Sequence, residues 1–126
     1  MTQQIIVDSC GWVAVIDSKI NFELELERMF GTFELILLDS VDKELQRIDL
    51  ARSRRKSLLL EMLRNKSTSV SNNLNSHTDD YIFDLASEGS YSVLTIDKLL
   101  KKRLYQHGLA VIEVAKNNHL RLIDGL

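Results

Sequence analysis

Gln3-Gln4-Ile5-Ile6-Val7-Asp8-Ser9-Cys10 is the stretch on which the fold turns. Three β-branched residues in succession form a strand covered on both faces, because a half-exposed strand alternates apolar and polar side chains. The run stops at Asp8, which therefore stands at the carboxyl end of a central strand. The chain that follows is helical. Trp12, Val13, Val15 and Ile16 recur at spacings of three and four, so a helix capped by Ser9 reaches about Ser18. A second helix runs from Asn21 to Gly31, with Phe22, Leu24, Leu26, Met29 and Phe30 apolar. Residues 22–27 also alternate like a strand, but the glutamates and the terminal glycine favour a helix.

Thr32 to Leu38 is the second strand, after which Asp39 or Ser40 caps a helix with Val41, Leu45 and Ile48 on one face and Glu44 in its first turns. Residues 50–64 read as one longer helix, with Leu50, Leu58, Leu59, Met62 and Leu63 inward and Arg52, Arg54, Arg55 and Lys56 outward. The polar stretch 65–78 reads as a loop with room for a short strand around Val70. Thr78 then caps a helix closed by Gly89, Tyr91–Thr95 is a strand, Asp97 to His107 a helix closed by Gly108, and Leu109–Val114 a strand. Apolar strands separated by helices imply a three-layer α/β/α sandwich around a mostly parallel sheet.

Composition bounds the function. A length of 126 residues with 44% apolar and 27% charged side chains fits one domain spanning 1–126. The longest apolar runs, such as Leu35-Ile36-Leu37-Leu38, are far short of the roughly 20 residues that cross a bilayer. The first residues lack the basic start and apolar stretch of a secretory signal, and the single cysteine, Cys10, excludes an internal disulfide and paired-cysteine zinc sites. A reducing cytoplasm is the expected location. The net charge of −2 gives no overall attraction for a polyanion, so nucleic-acid contact has to be local. His77, His107 and His119 have no ligand spacing, the five glycines make no phosphate loop, and Cys10 and Trp12 read as packed side chains.

The acids carry more information. Ligands of open parallel sheets bind at the carboxyl ends of the strands. Asp8 follows the first strand and Asp97 follows the strand ending at Thr95, so both reach that rim. Glu44 and Asp79 lie on helices that lead from or toward it. Asp79 or Asp97 taken singly is explained by helix capping. Four carboxylates together repel one another unless a cation joins them, and hard divalent ions with oxygen ligands fill that role. Mg2+ or Mn2+ is the natural ion.

Four segments, Ile5–Cys10, Val41–Leu45, Thr78–Ala86 and Val93–Leu104, resemble in order and spacing the signature segments of PIN-domain ribonucleases. Gly108–Val114 with Leu120-Arg121-Leu122 resembles the last strand and tail of archaeal members, including relatives of ribosomal-RNA-processing nucleases. The resemblance implies metal-binding, catalytic carboxylates at Asp8, Glu44, Asp79 and Asp97. It places Ser9, Asp80 and Thr95 beside the metal ligands, and implies endonucleolytic cleavage of RNA that leaves a 5′ phosphate and a 3′ hydroxyl. Lys98, Lys101, Lys102 and Arg103, next to Asp97, become candidates for holding flanking phosphates. The family also implies an antitoxin peptide or a ribosomal assembly partner, according to branch, and a homodimer. The competing readings are a non-catalytic scaffold that keeps the fold, and a phosphoacceptor receiver, which needs an aspartate where this chain has the basic segment around Arg52 to Lys56.

Overall fold

The computed structural model describes residues 2–52, 59–71, 77–116 and 118–124. In chain order the elements are β1 (Gln3–Val7), α1 (Ser9–Asp17), α2 (Phe22–Phe30), β2 (Phe33–Leu38), α3 (Asp39–Ala51), α4 (Leu59–Lys66), β3 (Ser67–Val70), α5 (Thr78–Glu88), β4 (Tyr91–Leu94), α6 (Lys98–Gln106), β5 (Ala110–Ala115) and β6 (His119–Ile123). They build one six-stranded sheet in the order β3-β2-β1-β4-β5-β6. The first five strands are parallel, and β6 runs antiparallel beside β5. This is the mostly parallel α/β architecture that the strand and helix order implies.

The central strands are apolar because both faces of the sheet are covered. Ile5, Ile6 and Val7 of β1, Leu35 to Leu38 of β2 and Val93 and Leu94 of β4 are all buried. Trp12 of α1 is fully buried and meets the Phe22 ring edge-on at 5.0 Å. Helices α1, α3 and α4 touch one another, and α5 touches α6. Right-handed crossovers explain the division: steps from β1 to β2 to β3 move one way across the sheet and the step from β4 to β5 moves the other way. Between β1 and β4 the direction reverses, which opens a crevice at their carboxyl ends.

Several local expectations are corrected. The helix expected over 50–64 is broken: α3 ends at Ala51, with Arg52 extended (φ −88°, ψ 158°), and a separate helix, α4, follows. Leu50 is 87% exposed, since α3 turns Val41 and Leu45 inward instead. Arg52 does not face outward but bonds Asp17 of α1 through two N–H groups at 2.6 and 3.2 Å. Arg54, Arg55, Lys56 and Leu58 lie outside the described residues. The N-cap residue of α1 is Asp8 rather than Ser9, that of α3 is Leu38 rather than Asp39 or Ser40, and that of α5 is His77 rather than Thr78. The short strand for which the stretch 65–78 left room is β3 at one edge of the sheet, and one further strand, β6, occupies the other edge.

Candidate active site

Asp8 lies where β1 becomes α1. Its N–H bonds the Leu94 carbonyl at 2.9 Å, continuing the ladder to β4, and its Oδ1 accepts the Ser9 N–H at 2.9 Å as the cap of α1. Its Oδ2 accepts the Thr95 hydroxyl at 2.8 Å and the Cys10 thiol at 3.2 Å. The side chain is 5% exposed. This placement depends on Gly11: a Cβ there would come within 2.6 Å of the Leu94 carbonyl oxygen and 3.0 Å of the Thr95 Cα. Without a side chain the first turn of α1 packs on the end of β4, and Asp8 meets Thr95.

Two buried hydroxyls join three of the acids. The Ser9 Oγ donates to Glu44 Oε1 at 2.6 Å, tying α1 to α3. The Thr95 Oγ1, which donates to Asp8, accepts the Asp97 N–H at 3.1 Å. Asp97 also caps α6, its Oδ1 accepting the Leu100 N–H at 3.0 Å. Asp79, in the first turn of α5, completes the set. Its carboxyl is pushed above the ordinary range by burial and then by the charges of Asp8, Asp97, Glu44 and Asp80, so the four acids share one field. Asp8 is raised as well: burial outweighs the bonds from Thr95, Cys10 and Ser9, and the Glu44 charge adds to it. Burial and the Asp8 carboxylate also raise the Cys10 thiol.

Among the described residues no lysine or arginine pairs with Asp8, Glu44, Asp79 or Asp97. Nor do three His, Cys, Asp or Glu side chains among them form a ready-made metal cage. A magnesium-like ion keeps several of its waters and is held by one or two carboxylates, so it does not require a closed set of protein ligands. A set of four carboxylates, of which Asp8 and Asp79 are raised by burial first and by neighbouring charge after it, is suitable chemistry for it.

The model of one family, described as a PIN like domain, matches residues 5–117, a span that holds all four acids. The chain belongs to the PIN-like domain family. The resemblance to PIN-domain ribonucleases is thereby borne out. This PIN domain is 27% identical over 125 residues to Ribonuclease VapC4 of Methanocaldococcus jannaschii, covering 94% of this chain and 95% of the relative. Its fold matches the solved structure of the PIN domain endonuclease Utp24 with a TM-score of 0.77 at 20% identity, over 98% of this chain and 94% of that one.

The basic residues expected near Asp97 diverge around α6. Arg103 lines a cavity of about 500 Å³ together with Glu44, His77, Asp79 and Asp80, and its Nη1 bonds Asp80 Oδ1 at 2.6 Å. Lys101 and Lys102 line a separate groove of about 280 Å³ with Tyr105 and Glu113, and the Lys101 Nζ is 3.7 Å from Glu113. Lys98 is exposed at the start of the helix. Cys10, Gly11 and His77 also belong to the neighbourhood, although in the sequence Cys10 reads as a packed side chain, His77 lacks ligand spacing and Gly11 is not singled out. Only Gly11 carried a signal, since a glycine inside a helix costs about 1 kcal/mol relative to alanine and calls for a packing reason.

Proposed function

We propose that this PIN domain is a divalent-metal-dependent endoribonuclease whose Asp8, Glu44, Asp79 and Asp97 hold Mg2+ or Mn2+. The supporting observation is the gathering of four acids at the β1/β4 crevice with no cationic partner among the described residues. Bound there, the ion supplies a water of lowered pKa and offsets negative charge on the phosphodiester. The chain's own residues prepare the place for it. Ser9 holds Glu44, Thr95 holds Asp8 and the Asp97 backbone, and Gly11 lets these meet. Asp80 and Arg103 border the cavity, where RNA phosphates flanking the cleaved bond pass; Lys98, Lys101 and Lys102 serve the strand farther out. Single-stranded or looped RNA is the substrate that reaches a recessed acidic rim, and cleavage leaves a 5′ phosphate and a 3′ hydroxyl.

Asp8→Asn and Asp97→Asn are each expected to reduce cleavage of a single-stranded RNA in Mn2+ by roughly a thousandfold, while a folded circular-dichroism melt is retained. Full activity in either variant sinks the proposal. The absence of a ready-made cage favours one second reading, a scaffold that binds no ion. Calorimetric titration with Mn2+ separates them, because a scaffold shows no heat that depends on Asp8. The same centre serves a toxin restrained by an antitoxin peptide or a processing nuclease held by ribosomal partners. Co-purification with a short DNA-binding peptide favours the first, and with ribosomal particles the second.

A further inference from the structure

Resting on the nuclease reading above, we infer that Arg103 positions the RNA strand at the acid cluster, and that Asp80 holds Arg103 beforehand in place of a backbone phosphate. RNA binding then exchanges one anion for another on the same guanidinium.

The problem to be solved is electrostatic. A phosphodiester has to enter a cavity lined by Glu44, Asp79 and Asp80, and Arg103 is the one lysine or arginine among its described lining residues. Its guanidinium is already oriented. The central carbon lies 4.1 Å from the centroid of the Phe83 ring. That ring is itself fixed edge-on against His107 at 4.8 Å, and His107 Nδ1 is 2.9 Å from the Arg103 carbonyl oxygen. A guanidinium stacked on a fixed ring loses little freedom when it binds.

The bond to Asp80 is of the exchangeable kind. It is a single contact from Nη1 to Oδ1, with side chains 40% and 55% exposed, and open ion pairs of this sort add little to stability. Arginine carries five N–H donors in a fork that matches two phosphate oxygens, so a phosphate gains a second bond that Asp80 does not take here. Asp80 directly follows Asp79, whose carboxyl belongs to the cluster. The fork released from Asp80 therefore sits next to the candidate catalytic acids, whereas Lys101 and Lys102 face the groove with Tyr105 and Glu113.

The test compares the full chain with Arg103→Ala, Arg103→Lys, Asp80→Asn and the double variant Asp80→Asn/Arg103→Ala. KM and kcat are measured on a fluorescent single-stranded RNA in Mn2+. Binding is measured by anisotropy in an Asp8→Asn background, so that the RNA stays whole. Arg103→Ala is expected to raise KM and Kd roughly tenfold, with the smaller part of the loss in kcat. Arg103→Lys recovers part of the affinity, since it restores charge without the fork. Asp80→Asn lowers KM and Kd roughly threefold, and this gain disappears in the double variant, because it depends on a freed Arg103. The inference is overturned if folded Arg103→Ala keeps wild-type KM and Kd. It is equally overturned if Asp80→Asn tightens binding as much without Arg103 as with it, which marks simple relief of repulsion. Binding that follows this pattern without cleavage sustains the exchange and sinks the nuclease reading; a chain that neither binds nor cleaves RNA sinks both.

Discussion

Two sets of carboxylates in this chain obey different rules. Away from the crevice, acids are answered by bases: Asp42 receives two bonds from Arg64 at 2.7 and 2.9 Å, Asp17 is bonded by Arg52, Glu23 by Lys66 at 2.7 Å, and Glu113 by Arg121 at 2.7 Å. At the crevice, Asp8, Glu44, Asp79 and Asp97 have hydroxyls, backbone N–H groups and one another. The chain has sixteen basic residues, so the difference is one of placement and not of supply. Arg64 and Asp42 pull each other's pKa apart in the stabilising sense, whereas Asp79 is pushed up by burial and by its neighbours. Paired acids hold elements together. Unpaired, crowded acids oppose folding, an opposition that the cation of the proposed function would relieve.

The sharpest way to test this contrast is to add the cation. An ion that binds only the folded state, at a free concentration of 100 times its Kd, stabilises it by about 2.7 kcal/mol. Mn2+ is therefore expected to shift the urea midpoint of the wild-type chain and of Asp42→Asn by the same amount, and to leave Asp8→Asn/Asp97→Asn unmoved. Equal shifts in all three proteins, read by circular dichroism, would place the ion somewhere other than the crevice.

How much of this was legible in the sequence depended on what each segment had to bury. β1, β2, β4 and β5 are legible because their apolar runs are required on both faces of a sheet. β3 is Ser67-Thr68-Ser69-Val70, an edge strand with two of its residues exposed, and it carries almost no apolar signal. β6 lies beyond the family match and alternates exposed and buried positions over only five residues, so it reads as a tail. The four acids were legible as a set because strand ends and helix starts fix their rim; their hydroxyl links were not, since Ser9 to Glu44 spans 35 positions of sequence. Arg103 and Lys101 sit two apart on one helix and yet serve different cavities, a separation that composition alone conceals.

Gly11 is the point where fold and crevice depend on each other. Alanine normally improves a helix interior by about 1 kcal/mol over glycine. Here its Cβ meets backbone, the Leu94 carbonyl, which has no rotamer with which to move aside. Gly11→Ala is expected to lose about 2 kcal/mol net in denaturant unfolding and to drive α1 off β4, parting Asp8 from Thr95 while Asp42 and Arg64 stay paired. A stability gain in that variant would show that the contact is soft and that the crevice geometry does not rest on it.

The smallest effects give the cleanest comparison of sign. With the protein kept metal-free by a chelator, the raised Asp79 carboxyl binds its proton more tightly in the folded chain than in the unfolded one. Its contribution to stability is thus complete below the unfolded value of 3.8 and is lost as pH rises through the folded value. Asp42 behaves oppositely: its lowered carboxyl contributes above 3.8, and the contribution is lost as pH falls through the folded value. Asp79→Asn should therefore raise the thermal midpoint at pH 7 by about 2 °C, and Asp42→Asn should lower it by about the same amount. The Asp79 difference should close as the pH falls below 3.8, where that carboxyl is uncharged in the folded and the unfolded chain, and the Asp42 difference only as the pH falls further, through its lowered folded value. Shifts of the same sign at pH 7 would mean that the two classes of acid are not distinct, and that crowding at the crevice costs the fold nothing for a cation to relieve.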